Sequence, residues 1–273
     1  MKKIRTLALD LLLVLLAFLI LFPLFYGFFG AFKAPSEFAQ QPPTVLPRSF
    51  LNLDNFRKVL SQIPLMRYYI NSLAVATLSS VVRIALAVFS AYAFVFYDFP
   101  GHKVLFFFML GTMMMPSDIL LLSNYQTVSA MGLIDTYIGM SITSFVGASQ
   151  MFMLRQHFLT SPAAMHDAAL LDGCGDVRFI ASILLPTARP ILVTLFLQSF
   201  LASWNTYLWP LLVTNKMEMR TVQVGLSMIT TIEATNYEAI LAATVMVMLP
   251  TLIVYFVLHR MVSRSMQEGA LIS

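Results

Sequence analysis

The chain has 273 residues, of which 59% are hydrophobic and 11% are charged, with a mean hydropathy of +0.80. A soluble domain carries about 25% charged residues, so this composition excludes a soluble protein and predicts a polytopic membrane protein. The net charge of +4 is too small and too dispersed to indicate nucleic acid binding. The single cysteine, Cys174, excludes an internal disulfide framework.

Six segments have the roughly 20 mostly apolar residues that a membrane-spanning helix needs. They are 8–32, 69–96, 104–123, 137–155, 188–213 and 240–262. The first is too long for the apolar region of a signal peptide, so we expect it to be retained. Six spans place both termini on one side, and the basic residues Lys2, Lys3, Arg5, Arg260 and Arg264 predict that this side is the cytoplasm.

Two of the charged residues inside predicted spans, Arg83 and Asp118, lie away from the ends of those spans. Arg83 lies within the second span, where a charge costs about 2.5–3.5 kcal/mol and should face protein or a cavity. It can contact an anionic solute, or it can pair with a neighbouring helix, and pairing is the more usual fate. In the third span Pro116 is expected to kink the helix, and Asp118 after it either lines a pathway or sits at a wet helix end.

The segment from Ser161 to Pro190 is neither membrane-apolar nor an ordinary loop. Ser161 and Pro162 suit a helix start, and Ala163 to Leu171 predict a short helix. Gly173 can take the left-handed conformation that ends a helix. Asp176 can cap a second helix, with Val177, Ile180, Ile183 and Leu184 on its apolar face.

The fifth span ends in a cluster of Trp204, Asn205, Tyr207, Trp209 and Pro210. An aromatic belt at the membrane interface accounts for the rings. A buried amide between aromatic rings is also how a polyhydroxylated ligand is held. Both interpretations stay open on the residues alone.

The segment 161–190 resembles the EAA loop of ATP-binding-cassette importer permeases. The matching positions are the triplet Asp167-Ala168-Ala169, the pair Asp172-Gly173 and Pro186. Aspartate replaces the usual glutamate at Asp167, and Cys174 stands where alanine is usual. The resemblance implies that Asp167, Ala168, Ala169, Asp172, Gly173 and Pro186 couple the permease to an ATPase.

Other segments resemble the sugar-type importer permeases, including the maltose and glycerol-3-phosphate group. These segments are Asn55-Phe56-Arg57, Asn71-Ser72, Ala91-Tyr92-Ala93-Phe94, Phe99-Pro100-Gly101, Trp204-Asn205-x-x-Leu208-Trp209-Pro210 and Arg220 to Leu226. The resemblance implies an all-α permease fold with six transmembrane helices. It also implies a solute pathway that includes Trp204, Asn205 and Trp209, to which Arg83 and Asp118 are added as candidates.

This resemblance implies an organisation in three parts. Residues 1–66 form the first span with an outer polar segment, 67–262 form a five-helix core with the coupling loop 156–190, and 263–273 form a cytoplasmic tail. The implied partners are an ATPase dimer, a second permease chain that usually differs from the first, and an extracytoplasmic solute-binding protein.

The implied activity is solute import across a bacterial or archaeal plasma membrane by alternating access. The chain has no GxxxxGK[ST] pattern, so another chain must hydrolyse the ATP. No catalytic residue, metal or cofactor is expected.

Two alternative functions would each need features that the sequence does not show. An ion-coupled secondary transporter would need paired carboxylates at the membrane midplane and internal repeats, whereas Asp118 stands alone. An intramembrane enzyme would need convergent catalytic groups, yet His102, His157, His166 and His259 all fall near the inner ends of spans.

Overall fold

Helices make up most of the chain in the part described by the structure, a computed structural model that covers residues 2–40, 42, 44–161, 163–233 and 236–270. No β-strand occurs in these residues. The longest helices are α1 (Lys2–Gly30), α4 (Leu65–Phe96), α12 (Arg189–Trp204) and α15 (Tyr237–Ala270). The shorter helices are α2 (Pro35–Phe38), α3 (Asp54–Gln62), α5 (His102–Thr112), α6 (Leu121–Ala130), α7 (Tyr137–Ser141), α8 (Ala148–Phe158), α9 (Ala163–Leu171), α10 (Asp176–Phe179), α11 (Leu185–Thr187), α13 (Leu208–Val213) and α14 (Val222–Ile232).

Three of the described helices are long and apolar enough to cross a bilayer: Leu9–Gly30, Leu65–Phe96 and Tyr237–Val257. A fourth span results if Asp176–Thr187 and Arg189–Trp204 are taken together, although the pair is bent by 85°. The segments His102–Thr112 and Val222–Ile232 are apolar but shorter. In Leu9–Gly30 the side chains of the apolar window are not buried within the chain, as lipid contact would require.

The continuous helices expected over 104–123, 137–155 and 188–213 are each divided. The helix α5 ends at Thr112, and Pro116 adopts an extended conformation before a 3₁₀ turn at Ser117–Leu120. Proline therefore ends this helix instead of kinking it, because it has no N–H to continue the hydrogen-bonded ladder. Gly147 is extended before α8, and residues 205–207 separate α12 from α13.

The chain forms two compact units. The first contains residues 1–65 and 224–252, and the second contains 66–223 and 253–273. In the first unit, the outer polar segment is held by buried polar side chains. Lys33 lies over the rings of Tyr26 and Phe38 at 5.1 and 5.3 Å, and its ammonium group donates to the Thr44 carbonyl.

Glu233 is a second buried polar anchor of the first unit. Its carboxylate accepts hydrogen bonds from Lys58 at 2.6 Å and from Gln62 and Asn236. Of these donors, Lys58 has the largest effect, and together they lower the pKa of Glu233 to about 2. The carboxylate is therefore ionised at neutral pH. Its contribution to stability is present above its ordinary pKa of 4.5 and is lost as the pH falls through about 2.

The core of the second unit is built around α4. One cluster packs Ala87, Ala91 and Phe94 of α4 against buried residues of α8 and of the segment 179–195. A second cluster joins Val75 of α4 to Val128, Met140, Trp209 and Val213. The two clusters therefore fix the segment 161–190 and the α12–α13 break relative to the same long helix.

Candidate functional site

The segment 161–175 forms a short helix closed by a glycine turn, as the sequence predicts. The helix α9 spans Ala163–Leu171, and Gly173 has φ +72°. The N–H of Cys174 donates to the Ala169 carbonyl at 2.9 Å and that of Gly173 donates to Leu170 at 3.0 Å. These two bonds are the Schellman pattern, which satisfies the last carbonyls of the helix. Pro162 lies outside the described residues, so its expected place at the helix start is a prediction.

The outer face of this turn is exposed. Asp167, Ala168 and Asp172 are solvent-exposed, whereas Ala169 is buried. Two apolar side chains accompany them, with Leu171 89% and Val177 73% exposed. Apolar side chains at such exposure on a polar loop are typical of a surface that binds a partner.

The second helix differs from its prediction in two respects. Gly175 is the N-cap residue, and Asp176 is the first helical residue with its side chain turned elsewhere. Val177 is exposed, whereas Phe179 is 1% exposed and packs in the core with Ile180 and Leu184. Ile180–Leu184 then form a π-helical turn instead of continuing as an α-helix. Pro186 is exposed in α11.

The inner face of the loop is tied to the end of α4. The Asp176 carboxylate accepts a hydrogen bond from Tyr92 at 2.8 Å and another from Tyr97. The hydroxyls of Tyr97 and Tyr92 hold the pKa of Asp176 below its ordinary value of 3.8. The stabilisation from these bonds is therefore complete above that value and is lost only as the pH falls through the lower pKa of the folded state.

A separate cavity of about 340 Å³ brings together three of the five predicted pathway residues, Arg83, Asp118 and Trp209. Its other lining residues are Leu120, Leu121, Asn124, Thr143, Ser144, Thr206 and Leu208. Charged, amide, hydroxyl and aromatic groups thus face one space, which is the composition of a pocket for a small polar solute.

Arg83 is held by a backbone carbonyl. Its Nε donates to the Ser144 carbonyl at 2.6 Å. Ion pairs found among the described residues include those of Arg57 with Asp54, Lys58 with Glu233 and His102 with Asp98, and none of these involves Arg83. At Gly147 a Cβ would lie 3.0 Å from Arg83 Cδ and 2.2 Å from Gln150 Oε1, so a larger residue there would displace the Gln150 side chain.

Trp204 and Asn205 do not line this cavity. Trp204 is buried and stacks on Phe200 with a centroid distance of 5.8 Å. Asn205 is the C-cap of α12, where its amide donates to the Leu201 carbonyl at 2.9 Å and accepts from Gln223 at 3.3 Å. The Trp209 indole N–H donates to the Gly139 carbonyl at 3.1 Å, which fixes its ring beside the cavity.

Residues 12–268 match the family model described as the inner membrane component of binding-protein-dependent transport systems. The chain belongs to this family. The permease protein UgpE of the sn-glycerol-3-phosphate transport system of Agrobacterium fabrum is 30% identical in an alignment of 267 residues that covers 95% of each chain. The protein of the same name from Brucella abortus is 31% identical in an alignment of 268 residues, with the same coverage of each chain.

A solved structure has the same fold as this inner membrane component. It is the crystal structure of a bacterial ABC transporter involved in the import of the acidic polysaccharide alginate, with a TM-score of 0.84. The sequence identity is 23%, and the match covers 95% of this chain and 96% of the other. The all-α fold of an importer permease is thereby confirmed.

The sequence does not predict which side chains hold the loop in place. Four of them are Tyr92, Tyr97, His166 and Phe179. For Asp176 it predicts a helix cap and not the hydrogen bonds to the two tyrosines. The spacing of Tyr92 and Phe96 on one face of a helix is the one signal that indicates a shared ring cluster, and their centroids lie 5.0 Å apart. Nothing in the sequence indicates that this cluster receives α9 and α10.

Proposed function

We propose that this chain is the permease subunit of an ATP-driven importer for a carbohydrate or a related polyol such as sn-glycerol 3-phosphate. Family membership and the names of the relatives support the solute class. The single observation that carries the coupling role is the exposed, glycine-closed helix turn 163–175. It exposes Asp167, Leu171 and Asp172 to solvent and is fastened to α4 through Asp176.

ATP is hydrolysed by a separate ATPase dimer that binds the exposed face of this turn. A second permease chain completes the pathway, and an extracytoplasmic binding protein delivers the solute. Closure of the ATPase dimer moves the turn as a rigid body, and the spans alternate between outward and inward access. A capped helix can transmit this displacement because it is rigid, whereas a flexible coil would deform instead.

The cavity lined by Arg83, Asp118 and Trp209 is the proposed solute pathway of this subunit. The indole ring offers a face for the C–H groups of a polyol. The guanidinium donates hydrogen bonds, and the carboxylate, amide and hydroxyl groups complete the set that a hydroxyl-rich solute needs. Arg83 also supplies a positive charge for a phosphate group.

We propose that the chain crosses the membrane six times with both termini in the cytoplasm. The spans run through the apolar segments 8–32, 69–96 and 240–262 and through the divided segments 104–123, 137–155 and 188–213. Broken helices are tolerated at membrane depth where they are buried in protein or line a cavity. The breaks at Pro116 and Gly147 are close in sequence to Asp118 and Ser144, which line the cavity with Arg83.

The test of this function is purification followed by transport. The complex is isolated in detergent through a tag on this chain, reconstituted in proteoliposomes with its binding protein, and offered labelled sn-glycerol 3-phosphate or maltose. We expect an ATPase chain to copurify and uptake to require ATP. Uptake driven by a proton or sodium gradient without ATP would establish a secondary transporter instead.

A further inference from the structure

The attachment of the coupling loop to α4 involves both sides of the glycine turn. On one side, Asp176 of α10 accepts one tyrosine hydroxyl on each carboxylate oxygen, Tyr92 on Oδ1 and Tyr97 on Oδ2. On the other, the His166 ring of α9 has its Nε2 3.2 Å from the Tyr92 hydroxyl oxygen. Since that hydroxyl donates to Asp176, its oxygen can accept a hydrogen bond from His166 in the tautomer that carries a proton on Nε2.

Aromatic packing reinforces these hydrogen bonds. The His166 ring lies 4.6 Å from the Phe96 ring and 4.9 Å from the Phe179 ring, and Phe96 and Phe179 are 5.6 Å apart. Phe179 is 1% exposed, so α10 cannot shift without exposing it. The residues 92–97 at the end of α4 therefore contact α9 and α10 together and hold the turn between them.

The same helix carries Arg83 into the solute cavity. Nine residues of α-helix separate Arg83 from Tyr92, a rise of about 14 Å. Because α4 is continuous over this interval, a displacement of the loop that is passed to Tyr92 and Tyr97 reaches the cavity wall without a flexible joint.

We infer that Asp176 is a positioning residue for transport: with Tyr92 and Tyr97 it locks the coupling loop to α4, so that motion imposed on the loop moves the cavity. This rests on the proposed function. Asp176 contacts no solute, and its effect is exerted through the two tyrosines. Docking of the ATPase on the exposed face does not require the lock, whereas transmission does.

The double variant Tyr92→Phe/Tyr97→Phe tests the lock, because it removes both hydroxyl donors and keeps the rings. We expect normal ATPase copurification and normal basal hydrolysis. Stimulation of hydrolysis by the binding protein loaded with sn-glycerol 3-phosphate should fall about tenfold, as expected when a charged acceptor loses its donors. Tyr237→Phe, which deletes the same hydroxyl from an exposed tyrosine, is the matched control.

A distance measurement gives a readout that does not depend on the solute. Spin labels are placed on the native Cys174 and on Leu73→Cys, an exposed position of α4. We expect one narrow distance that is the same before and after trapping with ATP and vanadate. In the double variant the distribution should broaden or shift on trapping. If the variant keeps both the narrow distance and full stimulation, the lock is not a coupling element.

Two further variants keep the test decisive. The exposed Tyr97→Phe alone and Asp176→Asn should each give an intermediate loss of stimulation, so a folding failure of the double variant does not end the experiment. If no ATPase copurifies with the wild-type chain, the proposed function fails. If it copurifies and Gly173→Val uncouples it while the tyrosine variants behave as wild type, only the lock fails.

Discussion

Arg83 is the residue whose environment bears most directly on solute recognition. A charged side chain in a span is expensive and normally pairs with another charge, yet here a Ser144 carbonyl holds Nε and the side chain lines a polar cavity. A single backbone acceptor leaves the remaining guanidinium donors for other partners, since arginine has five N–H groups. This arrangement favours a role in the pathway over a purely structural ion pair.

Replacing Arg83 by glutamine should reduce solute uptake without lowering the amount of protein in the membrane. A lost polar contact costs about 1–3 kcal/mol, so the initial uptake rate in proteoliposomes should fall about tenfold or more. Tyr237→Phe is the comparison, because that exposed side chain is not among the residues that line the cavity and its change should leave uptake intact. Equal effects of the two variants would place the pathway elsewhere.

At the level of elements, the exposed face of α9 and α10 carries both apolar and charged side chains, so their contributions to ATPase binding can be compared. Burying a leucine side chain contributes about 1.5–3 kcal/mol, whereas an exposed ion pair contributes about 0–1 kcal/mol. Leu171→Ala should therefore weaken ATPase copurification more than Asp167→Ala. The comparison is made by titrating the purified ATPase against each variant. A larger loss for Asp167→Ala would show that charge dominates this interface.

The sequence was sufficient for the local features of this loop. The helix Ala163–Leu171 and the left-handed Gly173 follow from short-range rules on helix formers and helix ends. The lock at Asp176 could not be predicted, because a carboxylate at a helix start has a good local role as a cap. Its actual partners, Tyr92 and Tyr97, lie about 80 positions earlier and meet it only through tertiary packing.

For the whole molecule, the apolar composition predicted the membrane class and the family resemblance implied the all-α fold, but the hydropathy pattern did not predict where spans break. Pro116 and Gly147 divide two predicted spans because polar backbone left free by a break is tolerated beside a cavity. Arg83, Asp118 and Trp209 were predicted separately, and only the fold brings them to one cavity.

The six-span topology is tested with the native thiol. Cys174 is the single cysteine of the chain and lies beside the glycine turn. A membrane-impermeant maleimide should label it in inverted vesicles and not in intact cells. Denatured protein provides the control for full reactivity. Labelling from the outside of intact cells would place Cys174 outside the membrane and would contradict the six-span topology.

The central claim is that the glycine-closed turn transmits ATP-driven motion, and Gly173 tests it most directly. Gly173 has φ +72°, where a residue with a Cβ costs about 1–2 kcal/mol and valine is especially poor, whereas asparagine tolerates this conformation. A Cβ there meets nothing within 4 Å in this chain, so any effect comes from backbone strain or from the docked partner. Solute-stimulated ATP hydrolysis and ATPase copurification are measured for both variants. We predict that Gly173→Val loses both while Gly173→Asn keeps most of each; full copurification and full stimulation in Gly173→Val would contradict the account.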